Sequence, residues 1–183
     1  MVRPVKGLRQ HKPDSSGLVC GADRAGGFGR AGLMSDFMDD LYESDFYRWA
    51  LEQAAVIRNR RCELEALGID WMNVAEELDT LGRSEKRELH SRLEVLLLHL
   101  LKWLHQPMHQ GASWKLTIEG QRDAIAEVLA ENPSLTPTLD QSLKDVYRRA
   151  CRRAAIETGL SQSTFSLDCP WTAMQVLDAD FLP

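Results

Sequence analysis

The chain has 183 residues and a formal net charge of −5, with 44% hydrophobic and 27% charged side chains. This balance is that of an ordinary globular protein, so it excludes fibrous and wholly disordered classes, and the acidic excess argues against general nucleic-acid binding. The longest apolar stretch, Leu93 to Leu104, contains Glu94, His99 and Lys102, so it is too short and too charged to span a membrane.

The first 33 residues differ from the rest of the chain. They are rich in glycine, show no apolar period, and carry six basic and two acidic residues, a net charge of +4 against −9 for the remainder. We therefore predict a disordered tail over residues 1–40 and a single helical domain over 41–183. Met34 is an alternative start of translation. Four cysteines without a CxxC pair, and no secretory leader, predict free thiols in the cytoplasm.

Helical spacing of apolar residues begins near Tyr42. The first predicted helix covers about 44–61, with Ser44 as its N-cap. The second begins after Asp70 and ends at Gly82, a residue suited to the left-handed conformation that terminates helices. The third, with Ser84 as its cap, runs to about residue 106, because the residue before a proline disfavours helical angles.

The second half of the chain predicts two further long helices and a short one. The fourth helix follows a Ser113 cap and ends before Pro133. For the fifth, Thr136 is the expected cap with Pro137 in the first helical position, and Gly159 is the stop. In the last irregular segment, residues 172 and 175 (Thr and Gln) have capping-box spacing. The predicted fold is an all-α bundle of about five helices with a short C-terminal helix.

Leucines cover more than half the circumference of the third predicted helix, so it should be central. The remaining seam is Glu88, Arg92, Val95, His99, Lys102 and Gln106. The seam either faces water, with ordinary i,i+4 ion pairs, or lines a groove between helices where its charged groups meet a ligand.

Neither a metal nor a cofactor is expected. His90 and His99 lack the Glu-x-x-His spacing of metal-binding bundles, and Pro107 separates the other two histidines of the region, His105 and His109. Glu76 and Glu77 are adjacent on a helix and so point in different directions.

Two pairs, Arg83 with His90 and Arg92 with His99, have an Arg, six residues, His spacing. This spacing resembles the active motif of HEPN-type ribonucleases, in which an imidazole moves protons and a guanidinium holds phosphate. His99 and Arg92 are therefore the candidate catalytic residues of an alternative, RNA-cleaving function. A metal-dependent enzyme that also uses Glu76 and Glu77 is the other form of that alternative.

The fifth predicted helix carries a basic stripe, with Lys144, Arg148 and Arg152 four residues apart. Such a stripe is most simply a solvated face or a partner for acids such as Glu76, Glu77 and Asp79 of a neighbouring helix.

The ordered motifs "YESDFYRWALEQAAVIRNRR", "DWMNVAEELDTLGRSEKRELHSRLEVLLLHLLKWLHQP" and "CPWTAMQVLDADFLP" resemble the bacterial domain-of-unknown-function family 29. The resemblance covers about residues 40–183. It implies an all-helical fold and a small stand-alone protein, and it implies no activity. The polar residues that match the family motifs are Glu76, Glu77, Arg83, His99, Lys102, Gln121 and Arg122.

These seven polar residues are our candidate binding residues, either as one hydrogen-bond network between helices or as a ligand or partner surface. At His90 the chain departs from the basic residue expected in relatives, which makes the Arg83 and His90 pair look incidental. The predicted function is a non-catalytic protein-interaction module whose partner is another protein or a second copy of the chain.

Overall fold

The computed structural model describes residues 40–183, apart from the side chains of Arg61 and Cys62. All regular structure in this part is helical, which confirms the all-α fold. After a helical turn at residues 40–44, the α-helices are α1 (Phe46–Asn59), α2 (Arg61–Ala66), α3 (Trp71–His105), α4 (Ala112–Glu131), α5 (Leu139–Thr158) and α6 (Ala173–Leu177). The 3₁₀ helices are Pro107–His109, Pro133–Thr138 and Gln162–Thr164. The predicted tail and the alternative start at Met34 lie outside the described residues, except that Asp40 is already helical.

Helix α3 is central, as predicted, and contacts α1, α4 and α5. Helix α5 runs parallel to it, because Glu94 of α3 pairs with Arg149 and the later Lys102 pairs with Glu157. Helices α1 and α4 run antiparallel to α3. The buried leucines of α3 are Leu89, Leu93, Leu96, Leu97, Leu98, Leu100 and Leu101. Each contributes about 1.5 to 3 kcal/mol of hydrophobic stabilisation. Leu104, near the end of the same helix, is exposed.

The second and third predicted helices are one continuous helix, so the predicted stop at Gly82 and the predicted cap at Ser84 are wrong. Only Gly68 and Gly159 have positive φ among the described residues, so Gly82 keeps helical angles. Gly82 is buried against α1, where a Cβ atom would lie 3.4 Å from Leu51 Cδ2 and 3.5 Å from Ala50 Cβ. Gly82 therefore lies inside a continuous helix, where that helix packs against α1, and does not end it.

Replacing Gly82 with alanine should stabilise the protein by about 0.5 to 1 kcal/mol. The added Cβ makes ordinary van der Waals contacts, and alanine loses less backbone entropy than glycine in a helix. Urea denaturation of the two proteins measures the difference. A loss of stability of similar size would contradict this expectation and would show that α1 packs too closely on residue 82 to accept a methyl group. Gly82→Leu is the control that should destabilise, because its branches meet Leu51.

Local capping signals were partly right. Asp70 caps α3, Gly159 ends α5 with φ of 73°, and the Thr172 and Gln175 capping box opens α6, as predicted. Other caps differ. Asp45 caps α1 in place of Ser44, and α4 begins after Gly111. The other wrong caps are Ser113, which lies inside α4, and Thr136, which lies with Pro137 in a 3₁₀ helix before α5.

No helix among residues 40–183 combines the length and the hydropathy needed to cross a bilayer.

Candidate functional site

The N-terminal end of the predicted polar seam faces solvent. Arg92 donates to Glu88 Oε1 at 3.1 Å, and both side chains are more than 40% exposed. An exposed i,i+4 ion pair of this kind contributes a few tenths of a kcal/mol and holds no ligand. This end of the seam is therefore a wet helix face.

The C-terminal end of the seam is joined to neighbouring helices. The Lys102 side chain is only 12% exposed, and its Nζ lies 2.8 Å from Glu157 Oε2 on α5. The same ammonium lies 4.8 Å from the centroid of the Trp114 ring on α4. Gln106 donates to the carbonyl oxygen of Thr158 at 3.3 Å. Lys102 and Gln106 thus connect α3 to α4 and α5 through polar contacts within the fold.

His99 lies between these two ends and is half-buried. Its Nδ1 lies 2.9 Å from the Val95 carbonyl oxygen, a contact in which the protonated nitrogen donates. Desolvation lowers the pKa of His99; the Val95 hydrogen bond and Glu157 oppose this, while the charges of Lys102 and Arg153 add to it. The imidazole is therefore neutral at pH 7, and Arg92 is committed to Glu88 two turns away.

The folded protein should lose stability as the pH falls from 7.5 to 5.5. Desolvation also lowers the pKa of His90, helped by Lys86 and Arg149 and opposed by Asp145. Both imidazoles have a lower pKa in the folded protein than in the unfolded chain. As the pH falls, the unfolded chain therefore binds protons first, near the ordinary histidine pKa of 6.5, and this proton binding favours unfolding. We expect the melting temperature to fall through this range.

The variant His99→Gln should show a shallower fall over the same pH range, whereas His109→Gln, which changes an exposed histidine, should keep the wild-type slope. A melting temperature that stays constant or rises between pH 7.5 and 5.5 would contradict this account.

Glu76, Glu77 and Arg83 lie on the N-terminal half of α3, and all three are exposed. Glu77 is 22 residues before His99 on the same helix, which separates the two by roughly 33 Å. Arg83 donates to Thr80 Oγ1 at 2.9 Å. The structure therefore does not bring the seven candidate binding residues into one network.

Arg122 is a clamp for the C-terminal segment. It is 8% exposed, and it donates to the carbonyl oxygens of Val176 at 3.0 Å, Ala179 at 3.0 Å and Phe181 at 2.6 Å. The neighbouring Gln121 is half-buried, and its Oε1 has no hydrogen-bond partner among the described residues. Arg122 is thus occupied by the protein's own backbone.

A first groove lies between α1 and α3, and we call it the α1–α3 groove. Its volume is about 210 Å³. Its lining residues are Tyr47, Leu51, Arg83, Lys86, Arg87 and His90. The tyrosine and leucine supply an apolar wall, and three cationic side chains supply the rim. It contains the pair Arg83 and His90, whose spacing looked incidental in the sequence, and His90 Nε2 is buried with no partner among residues 40–183.

Large apolar side chains are exposed where α2 meets α3. The exposed fraction is 73% for Leu67, 44% for Ile69, 58% for Met72 and 44% for Val74. We call these four residues the α2–α3 apolar cluster. Exposed apolar groups concentrated in one region are typical of interaction surfaces.

A second groove lies between α5 and the segment 165–172, and we call it the α5 groove. Its volume is about 630 Å³, and it is lined by Lys144, Tyr147, Arg148, Leu167, Asp168 and Cys169. Sequence reasoning found the basic stripe that supplies Lys144 and Arg148 but not the groove, because its second wall has no regular pattern. In the part of the chain that the structure describes, the stripe residues form no ion pair with the expected acids, Glu76, Glu77 and Asp79. The neighbouring Arg149 and Arg153 of α5 pair with Glu94 of α3.

The two thiols and the phenol near the α5 groove are protonated at pH 7. Burial raises the pKa of Cys151 and of Cys169, and burial together with the neighbouring Cys151 raises the pKa of Tyr147. A protonated thiol is a weak nucleophile. Cys151 and Cys169 are therefore poor nucleophiles at neutral pH.

Among residues 40–183, no three His, Cys, Asp or Glu side chains lie close enough together to hold a metal ion. His99 and Arg92 line none of the grooves described above.

The fold is similar to that of an α-helical protein of unknown function from Rhodospirillum rubrum ATCC 11170, known from a crystal structure. The TM-score is 0.61 at 24% sequence identity, and the alignment covers 76% of this chain and 90% of the other. The likeness concerns the fold alone. No curated protein matches the sequence.

The family model of a domain of unknown function, DUF29, matches residues 41–182, which is nearly all of the described chain. The protein therefore belongs to the DUF29 family.

Proposed function

We propose that the protein is a non-catalytic protein-interaction module that binds an acidic, amphipathic segment of another protein in the α1–α3 groove. The observation that carries this proposal is the combination of an apolar wall, Tyr47 and Leu51, with a cationic rim. An amphipathic helix places its apolar face in such a groove and its charged residues on the rim.

The cations of the rim are available to a partner. Within residues 40–183, no carboxylate lies within 4.0 Å of the charged nitrogens of Arg83, Lys86 or Arg87. In the described part of the chain, the Arg83 guanidinium donates only to the neutral hydroxyl of Thr80. Acidic side chains of a partner would supply the missing counter-charges, which favours selection and steering of that partner.

A partner must extend beyond the groove, because stable interfaces bury about 800 Å² on each side. Met72 stands eleven residues before Arg83, so it lies on the same face of α3 at roughly 16 Å. Glu76 is exposed between them. The proposed segment is therefore acidic where it meets the rim and neutral or basic, with apolar side chains, where it meets Met72.

The test is a fluorescence-anisotropy titration with an 18-residue helical peptide that has Leu and Phe on one face and Glu at one end. We expect Arg83→Glu with Arg87→Glu to weaken binding about tenfold or more. The matched control is Arg148→Glu with Arg152→Glu, which reverses two exposed arginines four residues apart on α5 and should leave binding unchanged. Equal affinity of the peptide for all three proteins would refute the proposed site. If the partner is a second copy of the chain, the molecular mass of the protein without peptide should rise with its concentration.

The setting we propose is the bacterial cytoplasm. Its support is the pattern of four cysteines without a CxxC pair and the free state of Cys151 and Cys169 in the structure.

One observation favours a second candidate, RNA cleavage. Arg83 and His90 line the same cationic groove, which gives an imidazole and a guanidinium one surface for a phosphodiester. Incubation with a labelled single-stranded RNA tests this candidate. If the wild type cleaves the RNA and His90→Ala does not, the protein is a ribonuclease and the interaction-module proposal is wrong. Equal cleavage by both proteins, or none, would exclude this candidate.

A further inference from the structure

The α5 groove is the largest of the grooves described, and the proposed partner site does not use it. Its volume of about 630 Å³ lies in the range of small-molecule sites, roughly 300 to 1,000 Å³. It adjoins a smaller groove that shares Lys144 and Cys169 and adds Asp140, Leu143, Pro170, Trp171 and Thr172.

Two cationic side chains stand on one wall. Lys144 and Arg148 are four residues apart on α5, both are exposed, and both line the groove. In residues 40–183, neither has a carboxylate within 4.0 Å, unlike Arg149 and Arg153 of the same helix, which share Glu94. An ammonium and a guanidinium on one wall of a groove suit an anion with several oxygens, and both groups commonly bind phosphate.

The opposite wall is built from the segment 165–172 and is held in place. The Asp140 carboxylate accepts a hydrogen bond from the Ala173 backbone at 2.9 Å, which ties the end of this wall to α5. Arg122 holds the chain beyond it. A wall whose end is anchored to α5 needs less ordering when a ligand binds than a free segment does. Asp168 on this wall offers a carboxylate that accepts hydrogen bonds.

We propose that the α5 groove binds a small phosphate monoester that carries hydroxyl groups. Lys144 and Arg148 hold the phosphate oxygens, and Asp168 accepts a hydrogen bond from a ligand hydroxyl.

The test measures the melting temperature of the full chain with increasing inorganic phosphate, ribose 5-phosphate and, separately, ribose. At tenfold excess over its dissociation constant, ribose 5-phosphate should raise the melting temperature by about 3 to 5 °C. Lys144→Ala and Arg148→Ala should each weaken the affinity about tenfold. Asp168→Ala should weaken the binding of ribose 5-phosphate but not that of inorganic phosphate, because it removes the hydroxyl acceptor together with a negative charge near the phosphate. Arg152→Ala, an exposed arginine of α5 outside the groove, is the control and should retain wild-type affinity.

Phosphate also stabilises proteins in general through its exclusion from their surface, and that contribution would be equal in all variants. The proposal is overturned if the shift is the same in wild type, Lys144→Ala and Arg148→Ala, or if there is none. A further arm uses vesicles that contain phosphatidic acid. Binding to these vesicles without binding to ribose 5-phosphate would assign the phosphate to a lipid headgroup and overturn the small-molecule proposal.

Discussion

Replacing Arg122 with alanine should lower the free energy of unfolding by about 2 to 4 kcal/mol. The wild-type guanidinium is almost fully buried and satisfies three backbone carbonyl oxygens, those of residues 176, 179 and 181. Alanine leaves these acceptors without their charged donor and opens space beneath the C-terminal segment. Desolvation lowers the pKa of Arg122, but arginine stays protonated in proteins, so the clamp holds across the usual pH range.

Urea denaturation measures the loss, and hydrogen exchange locates it. We expect faster amide exchange in residues 173–183 of the Arg122→Ala variant, with unchanged exchange in the leucine-rich part of α3. Arg122→Lys should recover little stability, because one ammonium lacks the planar fork that reaches three separate carbonyls. A change below 1 kcal/mol, or a loss of protection spread evenly over the chain, would contradict the clamp.

Replacing Asn132 with alanine should cost a similar amount, about 2 to 4 kcal/mol. This side chain is 1% exposed and joins three helices. Its Oδ1 accepts from the Tyr47 backbone at 2.8 Å, and its Nδ2 donates to Glu85 Oε2 at 3.2 Å and to the Val128 carbonyl at 3.0 Å. Alanine removes all three bonds and leaves a backbone donor in the first turn of α1 without its partner.

The control for this variant is Asn59→Ala, an exposed asparagine at the end of α1, which should change stability by less than 0.5 kcal/mol. Asn132→Asp should also destabilise at pH 7, because it places a carboxylate against Glu85 and against the Val128 carbonyl. If Asn132→Ala unfolds at the same urea concentration as the wild type, the junction of α1, α3 and α4 is not held as described.

The structure explains why Asp45 caps α1. This carboxylate, 7% exposed, caps α1 through the Arg48 backbone and also accepts from the backbone and hydroxyl of Ser134 at 2.8 and 2.9 Å. Ser134 is 89 residues away in the sequence. A reading of local capping patterns ranks Ser44 and Asp45 equally, and only the distant partner decides between them.

The predictable part of the fold is the part determined by near neighbours in the sequence. The leucine spacing of residues 89–101 identified the central helix, and Asp70, Gly159 and the Thr172 and Gln175 pair marked their helix ends correctly. Gly82 shows the limit. The local conformational preference of glycine favours a helix stop, but packing against α1 stabilises an unbroken helix. This tertiary packing outweighs the helix propensity of glycine, which is about 1 kcal/mol less favourable than that of alanine.

The candidate sites were harder to predict for the same reason. Sequence reasoning identified Arg83 as a binding residue and identified the stripe that includes Lys144 and Arg148, and both line grooves. It also grouped Arg83 with Arg122 and His99, which the fold separates, because a list of residues contains no information on distance between helices. Each groove depends on a second wall, Tyr47 and Leu51 in one and residues 167–169 in the other, that periodicity does not assign.

We propose that the protein acts by binding a partner through the α1–α3 groove and not through His99. Quantitative affinity capture from the source cells, compared among four proteins, tests this most directly: wild type, Arg83→Glu with Arg87→Glu, Arg148→Glu with Arg152→Glu, and His99→Ala. We predict that the wild type, His99→Ala and the variant with Arg148→Glu and Arg152→Glu all capture the same partner. The variant with Arg83→Glu and Arg87→Glu should lose it. A partner lost only by His99→Ala, or one retained equally by all four proteins, would contradict the account.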